Sequence, residues 1–180
     1  MSEVGKHIIQ EQDSETSIKY LAAQKQLYIN GKTTFAFQVL IAVPIPILIS
    51  IATPLLSKTE QSVIWIFVLY SIIATFLEFF CEDRAMKLKK LAASIQEKFD
   101  TTVLLIGWNK TLLPNKPEDE LIFRYHNKHI KKHKLDKLYG WYSNEVLPVQ
   151  TNIATLLCQR TNCSYDFTLR KRYTNTILLL

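Results

Sequence analysis

Apolar residues are concentrated in one part of this 180-residue chain, between positions 35 and 80. Residues 35–56 are 22 in number and carry no charge, and residues 63–80 carry a single one, Glu78. As a helix, the first segment spans roughly 33 Å at about 1.5 Å per residue, enough to cross a hydrocarbon core of about 30 Å. The polar residues 57–62 suit a tight turn between antiparallel helices. The pattern therefore predicts a transmembrane helical hairpin with spans at about 35–56 and 63–80.

The alternative for the first apolar segment is a buried core helix of a soluble protein. Core helices rarely lack a polar face over about six turns, so the pattern favours a membrane helix. Pro44, Pro46 and Pro54 would break a soluble helix. A membrane helix carries prolines as kinks where neighbouring groups satisfy the freed carbonyls.

The segments that flank the hairpin have helical patterns. Residues 13–28 predict an N-terminal helix that ends at a break at Asn30-Gly31. Two further helices are predicted at residues 117–140 and 148–160. Residues 101–108 are β-branched and aliphatic and end near Gly107, so they predict one short strand, which needs a pairing partner elsewhere.

The segment that follows the hairpin is strongly amphipathic. Its apolar residues recur at i, i+3, i+4, i+7 and i+11, and they are Leu88, Leu91, Ala92, Ile95 and Phe99. This spacing predicts a helix that continues the second span into the cytosol. Its apolar stripe must be covered, either by the N-terminal helix of the same chain or by another subunit.

Together these patterns predict a mainly α membrane protein, with a mostly helical cytosolic domain that contains one short strand. Four parts are expected: a cytosolic N-terminal helix in residues 1–32, the transmembrane hairpin in 33–80, the cytosolic helical domain in 81–173, and the start of a third membrane helix in 174–180.

Lysine and arginine are unevenly distributed around the hairpin. Residues 1–32 carry 4 of them, the turn carries 1, and residues 81–173 carry 17. The excess of cations on both flanks predicts that both lie in the cytosol and that the turn lies outside. The cysteines are consistent with this orientation. Cys81, Cys158 and Cys163 are an odd number and all lie on the predicted cytosolic side, where thiols are expected to stay reduced.

Cations near tyrosines on the predicted helix 117–140 form the candidate ligand site. They are Arg124, Lys128, Lys131, Lys132 and Lys134. Cationic side chains beside aromatic ones can hold phosphates and stack bases. Anionic lipid headgroups of the cytosolic leaflet are a second target. A third interpretation is a solvated helix end whose cations complement the helix dipole.

Histidine and cysteine offer a weaker alternative, a zinc site. His129 and His133 are an i, i+4 pair, and Cys158 and Cys163 have four residues between them. Two imidazoles and two thiolates could bind zinc tetrahedrally, although the neighbouring lysines oppose a divalent cation. The competing interpretation is solvated histidines and small buried cysteines.

Glu78 is the one acid within the predicted spans. A carboxylate at membrane depth is a candidate functional residue. The alternative is a hydrated carboxylate near the interface, with Arg84 within reach. The chain has no glycine-rich phosphate loop and no nucleophile elbow, so we predict no enzyme activity and no cofactor.

Five short stretches carry a resemblance to a known family. They are LAAQKQLY at 21–28, KFDTTVLLIGWNKTL at 98–112, WYSNEV at 141–146, LLCQRTNCSYD at 156–166 and LRKRY at 169–173. Their order and spacing resemble the SMODS-associating 4TM effector family over nearly the whole chain. The resemblance implies a bacterial inner-membrane protein with four membrane helices, the second pair following the LRKRY-like motif.

The resemblance also implies a function. Such an effector belongs to CBASS-type anti-phage defence and is encoded beside a nucleotidyltransferase that makes cyclic oligonucleotides. It is expected to disrupt the membrane or form a pore once the signal is made. The implied partners are the lipid bilayer and a cyclic oligonucleotide. Binding to DNA is not expected. This chain stops four apolar residues into the expected third span, so we expect a truncated gene product, one half of a split gene or a shortened piece.

The residues themselves support two classes of function. Ser50, Thr53, Ser71 and Thr75 are small polar residues within the spans, and such residues favour helix association in lipid. They predict a homo-oligomer that disrupts the membrane. The alternative is a membrane-anchored adaptor or sensor, in which the hairpin only tethers a basic cytosolic module and there is no pore activity.

Overall fold

The computed structural model of the chain describes the backbone of residues 2–56 and 60–178. This part of the chain is mainly α-helical, as the sequence predicts. Its six α-helices are α1 (Glu3–Gln12), α2 (Glu15–Ala42), α3 (Pro44–Leu56), α4 (Glu60–Val103), α5 (Asp119–Ile130) and α6 (Thr151–Leu178). Two short 3-10 helices, Asp136–Leu138 and Asn144–Val146, lie between α5 and α6. Of the turn predicted at 57–62, residues 57–59 lie outside the described residues, and 60–62 are described only as backbone at the start of α4.

Helix α2 runs without a break from the N-terminal part of the chain into the first apolar segment. Ser14 caps its start, since the Ser14 hydroxyl accepts a hydrogen bond from the Ser17 amide at 3.2 Å. The predicted break at Asn30-Gly31 is wrong, because both residues lie within α2. One glycine costs a helix only about 1 kcal/mol, and the packing of α2 against α4 and α5 outweighs that preference.

The interruption that does occur is at Val43, immediately before Pro44. Helix α2 ends at Ala42 and α3 begins at Pro44, and a proline is well tolerated at the first position of a helix. The Tyr70 hydroxyl of α4 donates a hydrogen bond to the Ile41 carbonyl beside this interruption. This hydrogen bond joins the two apolar helices beside the kink.

Two helical stretches, Glu15–Ala52 and Trp65–Val103, are long and apolar enough to cross a membrane. Only 6% of the most apolar window of each is buried inside the protein. Large side chains such as Phe35, Trp65 and Phe80 are instead more than half exposed. This exposure argues against the alternative of a soluble core helix.

Helix α4 confirms the predicted continuation of the second span, but it replaces the predicted strand. Residues 101–103 form its last turn, and no strand is found anywhere in the described residues. The hydroxyls of Thr101 and Thr102 both donate to the Lys98 carbonyl, at 3.1 and 2.8 Å. Threonine side chains thus bond within the helix, and burial of Val103 and Leu104 fixes its end in the core.

The apolar stripe after the hairpin is covered by the same chain. Leu88, Ala92 and Ile95 of α4 pack against Ala23 and Leu27 of α2, together with Ile122 of α5. A second cluster extends this core toward α1 and α6. Its main members are Ile8, Leu21, Phe99, Val103, Tyr142, Val146 and Cys158.

The last two helices differ in length from their predictions. Helix α5 ends at Ile130 rather than near 140, because the next apolar residue is Leu135 and the intervening positions are exposed cations and His133. Helix α6 continues past the predicted end at 160 to Leu178. No glycine or proline interrupts it, so the LRKRY stretch is helical.

Candidate functional site

A pocket of about 590 Å³ lies between the 3-10 helix Asn144–Val146 and one face of α6. Its walls come from residues 142–146 and from positions 157–168. Two of the sequence stretches that carry the family resemblance, WYSNEV and LLCQRTNCSYD, therefore meet at one place. A pocket of this size falls in the range of small-molecule sites, about 300–1,000 Å³.

The first wall is held in place by contacts with α1. The Tyr142 amide donates to the Gln12 side-chain oxygen at 2.6 Å, and the Gln12 side-chain nitrogen donates to the Tyr142 carbonyl at 3.4 Å. Gly140, with φ of 64°, donates its amide to the Asp13 carboxylate at 2.8 Å. This left-handed conformation favours glycine. The turn before the pocket is thus fixed to residues almost at the other end of the chain.

A partly buried polar cluster is joined to the pocket wall through Tyr142. The Tyr142 hydroxyl donates to Asp100 Oδ1 at 2.7 Å, and the Asn162 side-chain nitrogen donates to Asp100 Oδ2 at 3.0 Å. The Trp141 indole nitrogen donates to the Asn162 oxygen at 3.1 Å. The Tyr142 ring also stacks on Phe99, with centroids 5.9 Å apart. This cluster joins the pocket wall, α6 and the end of α4.

The environment of the cluster changes the protonation of its members. Burial raises the pKa of Asp100 to about 6, although the hydrogen bonds from Tyr142 and Asn162 act in the opposite direction. Burial also raises the pKa of the Tyr142 hydroxyl, and the nearby Asp100 adds to that effect. The pKa of Cys158 rises to about 11, mainly through burial. Cys158 therefore stays a thiol, which is a poor nucleophile.

The rim and α6 wall of the pocket are polar. The hydroxyls of Thr161 and Thr168 donate to the Leu157 and Ser164 carbonyls of their own helix, at 3.1 and 2.8 Å. Their oxygens remain available as hydrogen-bond acceptors. Arg160 and Glu145 are both exposed and supply one cation and one anion. The pocket can therefore contact a polar ligand that carries both donors and a negative group.

The predicted basic site lies elsewhere. Arg124 and Lys128 are exposed on α5, and Lys131, Lys132 and Lys134 are exposed in the turns that follow it. None of them is among the residues that line the pocket. The structure thus leaves the basic segment as a solvated surface, and its role as a ligand site stays a prediction.

The four residues of the zinc alternative are not brought together as a metal site. His129 is fully buried and stacks on His133 at 4.9 Å, whereas Cys158 belongs to the other core cluster and Cys163 is exposed. Among the described residues, no group of three or more histidine, cysteine or acidic side chains could hold a metal ion. The pKa of His129 falls to about 4, because burial disfavours its cation and the neighbouring His133 and Lys25 add positive charge.

Glu78 lies in the apolar part of α4 and is half-buried, and Arg84 is exposed further along the same helix. The residues that sequence reasoning missed are Asp100, Tyr142 and Asn162. Asp100 lies within the quoted stretch KFDTTVLLIGWNKTL, and the other two lie within WYSNEV and LLCQRTNCSYD. Their presence in those stretches was the one available signal.

The architecture is that of a helical membrane protein whose two apolar helices extend from a packed polar domain. The chain belongs to the SMODS-associating 4TM effector domain family, whose model matches residues 6–180. It is also similar to a Bacillus cereus (strain VD146) protein named "Probable CBASS effector molecule", with 28% identity over 170 residues. That alignment covers 92% of this chain and 56% of the relative, so the chain spans about half the length of the relative. No solved structure matches the chain.

Proposed function

We propose that the chain is part of a CBASS effector that disrupts the bacterial inner membrane, or forms a pore in it, in response to a cyclic oligonucleotide. Membership of the effector family and the name of the Bacillus cereus relative support this proposal. The observation that carries it is the continuity of α2 and α4. Each runs without a loop from the packed extramembrane core into an apolar stretch that the protein itself leaves exposed.

Continuous helices transmit a change in the core to the membrane. Leu27 of α2 and Ile95 of α4 pack in the same cluster, and their helices pass on toward Phe35 and Phe80. A ligand that changes how these helices pack would also change their tilt in the bilayer, because no flexible linker separates the two parts. Packed interfaces of this kind shift between discrete arrangements rather than deforming smoothly.

The apolar helices are suited to association with further copies. Ser71 and Thr75 donate their hydroxyls to the Phe67 and Ser71 carbonyls of α4, so they need no partner in lipid. Small residues of this kind let helices approach closely. We therefore propose a homo-oligomer, with both flanks of the hairpin in the cytosol and a nucleotidyltransferase as the source of the ligand.

A second candidate function is a membrane-anchored adaptor or sensor without pore activity. The exposed cations of α5 and the turn after it favour this alternative, because they form a surface that could contact a partner or a headgroup. Neither function requires catalysis. The raised pKa of Cys158 makes the thiol that is found to line the pocket a poor nucleophile, which supports a binding role at this site.

The two candidates differ in one measurable property. The chain is reconstituted in liposomes of anionic and zwitterionic lipid that contain a self-quenched dye, and a panel of cyclic di- and trinucleotides is added. A membrane-disrupting effector releases dye when one member of the panel is present and not when a linear dinucleotide is added. An adaptor binds the same ligand without dye release. A protein that neither binds nor leaks with any member of the panel would contradict the proposal.

A further inference from the structure

We propose that the pocket between residues 142–146 and α6 is the ligand site of this effector, that Arg160 contacts a phosphate of the ligand, and that Tyr142 and Asp100 connect the site to α4. This inference rests on the proposed function for the identity of the ligand, a phosphodiester-linked nucleotide. The location and the connection rest on the structure of the pocket.

The chemistry of the pocket suits a nucleotide. Arg160 is the one cation among the residues found to line it, and no ion pair is found between Arg160 and a described side chain. A guanidinium presents a planar set of donors that matches the oxygens of a phosphate. A cation that is exposed at a pocket rim and free of a carboxylate partner is available for an anionic ligand.

The other polar groups complement a base or a ribose. The hydroxyls of Thr161 and Thr168 donate their hydrogens to helix carbonyls, so their oxygens act toward the pocket as hydrogen-bond acceptors. Glu145 adds a carboxylate acceptor at the opposite wall. The amino groups of bases and the hydroxyls of ribose are donors, and they are the partners that such acceptors require.

A hydrogen bond connects the pocket wall to α4, the helix that contains the second span. Tyr142 contributes to the pocket wall, and its hydroxyl bonds Asp100, which lies in the last turn of α4. Asn162 of α6 bonds the other oxygen of the same carboxylate. A ligand that moves Tyr142 relative to α6 must therefore change the contacts of Asp100. Because α4 is continuous down to its apolar part, that change reaches the second span.

The basic segment after α5 lacks these features. Its side chains are exposed on a helix end and its following turns, and they do not line the pocket. Arg124 of α5 is therefore a matched control for Arg160, because both are exposed arginines on helices.

The test uses the full chain in lipid nanodiscs for binding and in dye-loaded liposomes for leakage, with the panel of cyclic di- and trinucleotides as probe. Arg160→Gln is expected to weaken binding of the active nucleotide about 10- to 100-fold, whereas Arg124→Gln should change it less than about threefold. Protection of Cys158 from a thiol reagent, measured in both variants, verifies that they are folded.

A third variant tests the connection separately from the binding. Asp100→Ala leaves the residues that line the pocket in place and removes the carboxylate to which the Tyr142 hydroxyl and the Asn162 side chain donate. It is expected to bind the nucleotide within about threefold of the parent protein while nucleotide-dependent dye release falls by at least about tenfold. Loss of binding and release in equal proportion would overturn the role of the Tyr142–Asp100 contact.

The outcomes distinguish the site from the function. If the parent protein binds and leaks, but Arg124→Gln loses binding and Arg160→Gln does not, the pocket is overturned and the membrane function stands. If Arg160→Gln alone loses binding but the parent protein never leaks, the pocket stands and the adaptor alternative replaces membrane disruption. Failure of the parent protein to bind any nucleotide of the panel overturns the site.

Discussion

The packing of α1 on the pocket wall can be tested at Gly5. A Cβ at this position would lie 2.5 Å from the Val146 carbonyl oxygen and 2.9 Å from the Leu147 Cα, both of them backbone atoms. Ordinary contact begins near 3.4 Å, so α1 or the 3-10 helix would have to move by about 0.9 Å. Overpacking of this kind costs about 1–3 kcal/mol. Gly5→Ala should therefore loosen α1 from residues 146–147.

Gly31→Ala is the matched control. Gly31 also lies inside a helix, but a Cβ there meets nothing within 4 Å. Both substitutions gain about 1 kcal/mol from the higher helix propensity of alanine. The difference between the two variants therefore isolates the clash at Gly5, about 1–3 kcal/mol in the free energy of opening.

Cys158 provides the assay. It is 1% exposed and belongs to the same core cluster as Ile8 of α1, so a thiol reagent reaches it only when that core opens. In a background of Cys81→Ala and Cys163→Ser, Gly5→Ala should react roughly 5- to 150-fold faster than Gly31→Ala, since 1.4 kcal/mol is about tenfold. Rates that agree within about twofold would refute the close approach of α1 to residues 146–147.

Three further results are expected. In intact spheroplasts an impermeant thiol reagent should label a cysteine introduced at Ser62 but not Cys163, because the cation distribution places the turn outside. The contribution of His129 to the free energy of unfolding should fall as pH drops from 6.5 toward 4, by at most about 1.4 kcal/mol per unit, because unfolded His129 takes up a proton that the buried ring resists. Leu91→Asp should destabilise the core by several kcal/mol, because Leu91 packs against the α2–α4 cluster, whereas the exposed Lys90→Asp should matter little.

Each of these results has a control. Asp100, with its raised pKa, acts in the opposite direction to His129, since its protonated form favours the folded state below pH 3.8 and that contribution is lost as pH rises to about 6. The comparison is therefore with His129→Gln, whose free energy of unfolding should rise on acidification relative to that of the parent protein. If the free energy of unfolding changes equally with pH in the two proteins, His129 is not a buried neutral imidazole.

Strong external labelling of Cys163 would reverse the predicted orientation. Equal effects of the substitutions at positions 90 and 91 would exclude the apolar stripe as a core face.

The hairpin and the apolar stripe could be predicted from sequence because both are local patterns with many repeats. The stripe on α4 is made of five apolar positions on one face, and the structure covers it with α2, one of the two partners expected. The prediction of a break at Asn30-Gly31 was wrong because it did not rest on a repeated pattern. It rested on one weak preference, and the long-range contact of α2 with α4 overrides a cost of about 1 kcal/mol.

The pocket could not be predicted from local patterns. The hydrogen bonds that hold its wall join Gln12 to Tyr142, 130 residues apart, and the adjoining polar cluster joins Asp100 to Asn162, 62 residues apart. Such pairs have no periodicity, and a single polar residue such as Asp100 looks like an ordinary solvated position of an amphipathic helix. The basic segment was more visible in sequence because its charges lie close together along the chain; in the structure these side chains are exposed, and their role as a ligand site stays a prediction.

The length of α4 sets the distance between the bilayer and the Asp100 contact of the pocket wall. If the second span ends near residue 80, Asp100 lies about 20 residues further along the same helix, or roughly 30 Å from the bilayer edge at 1.5 Å per residue. The negative potential of an anionic leaflet is screened within about 8 Å at physiological ionic strength. A polyanion approaching the part of the pocket beside Asp100 is therefore beyond the range of that potential, and it meets a chain with a net charge of +6. If this part of the pocket binds a nucleotide as proposed, its capture should be insensitive to the lipid composition of the membrane, even though the proposed effect is exerted within that membrane.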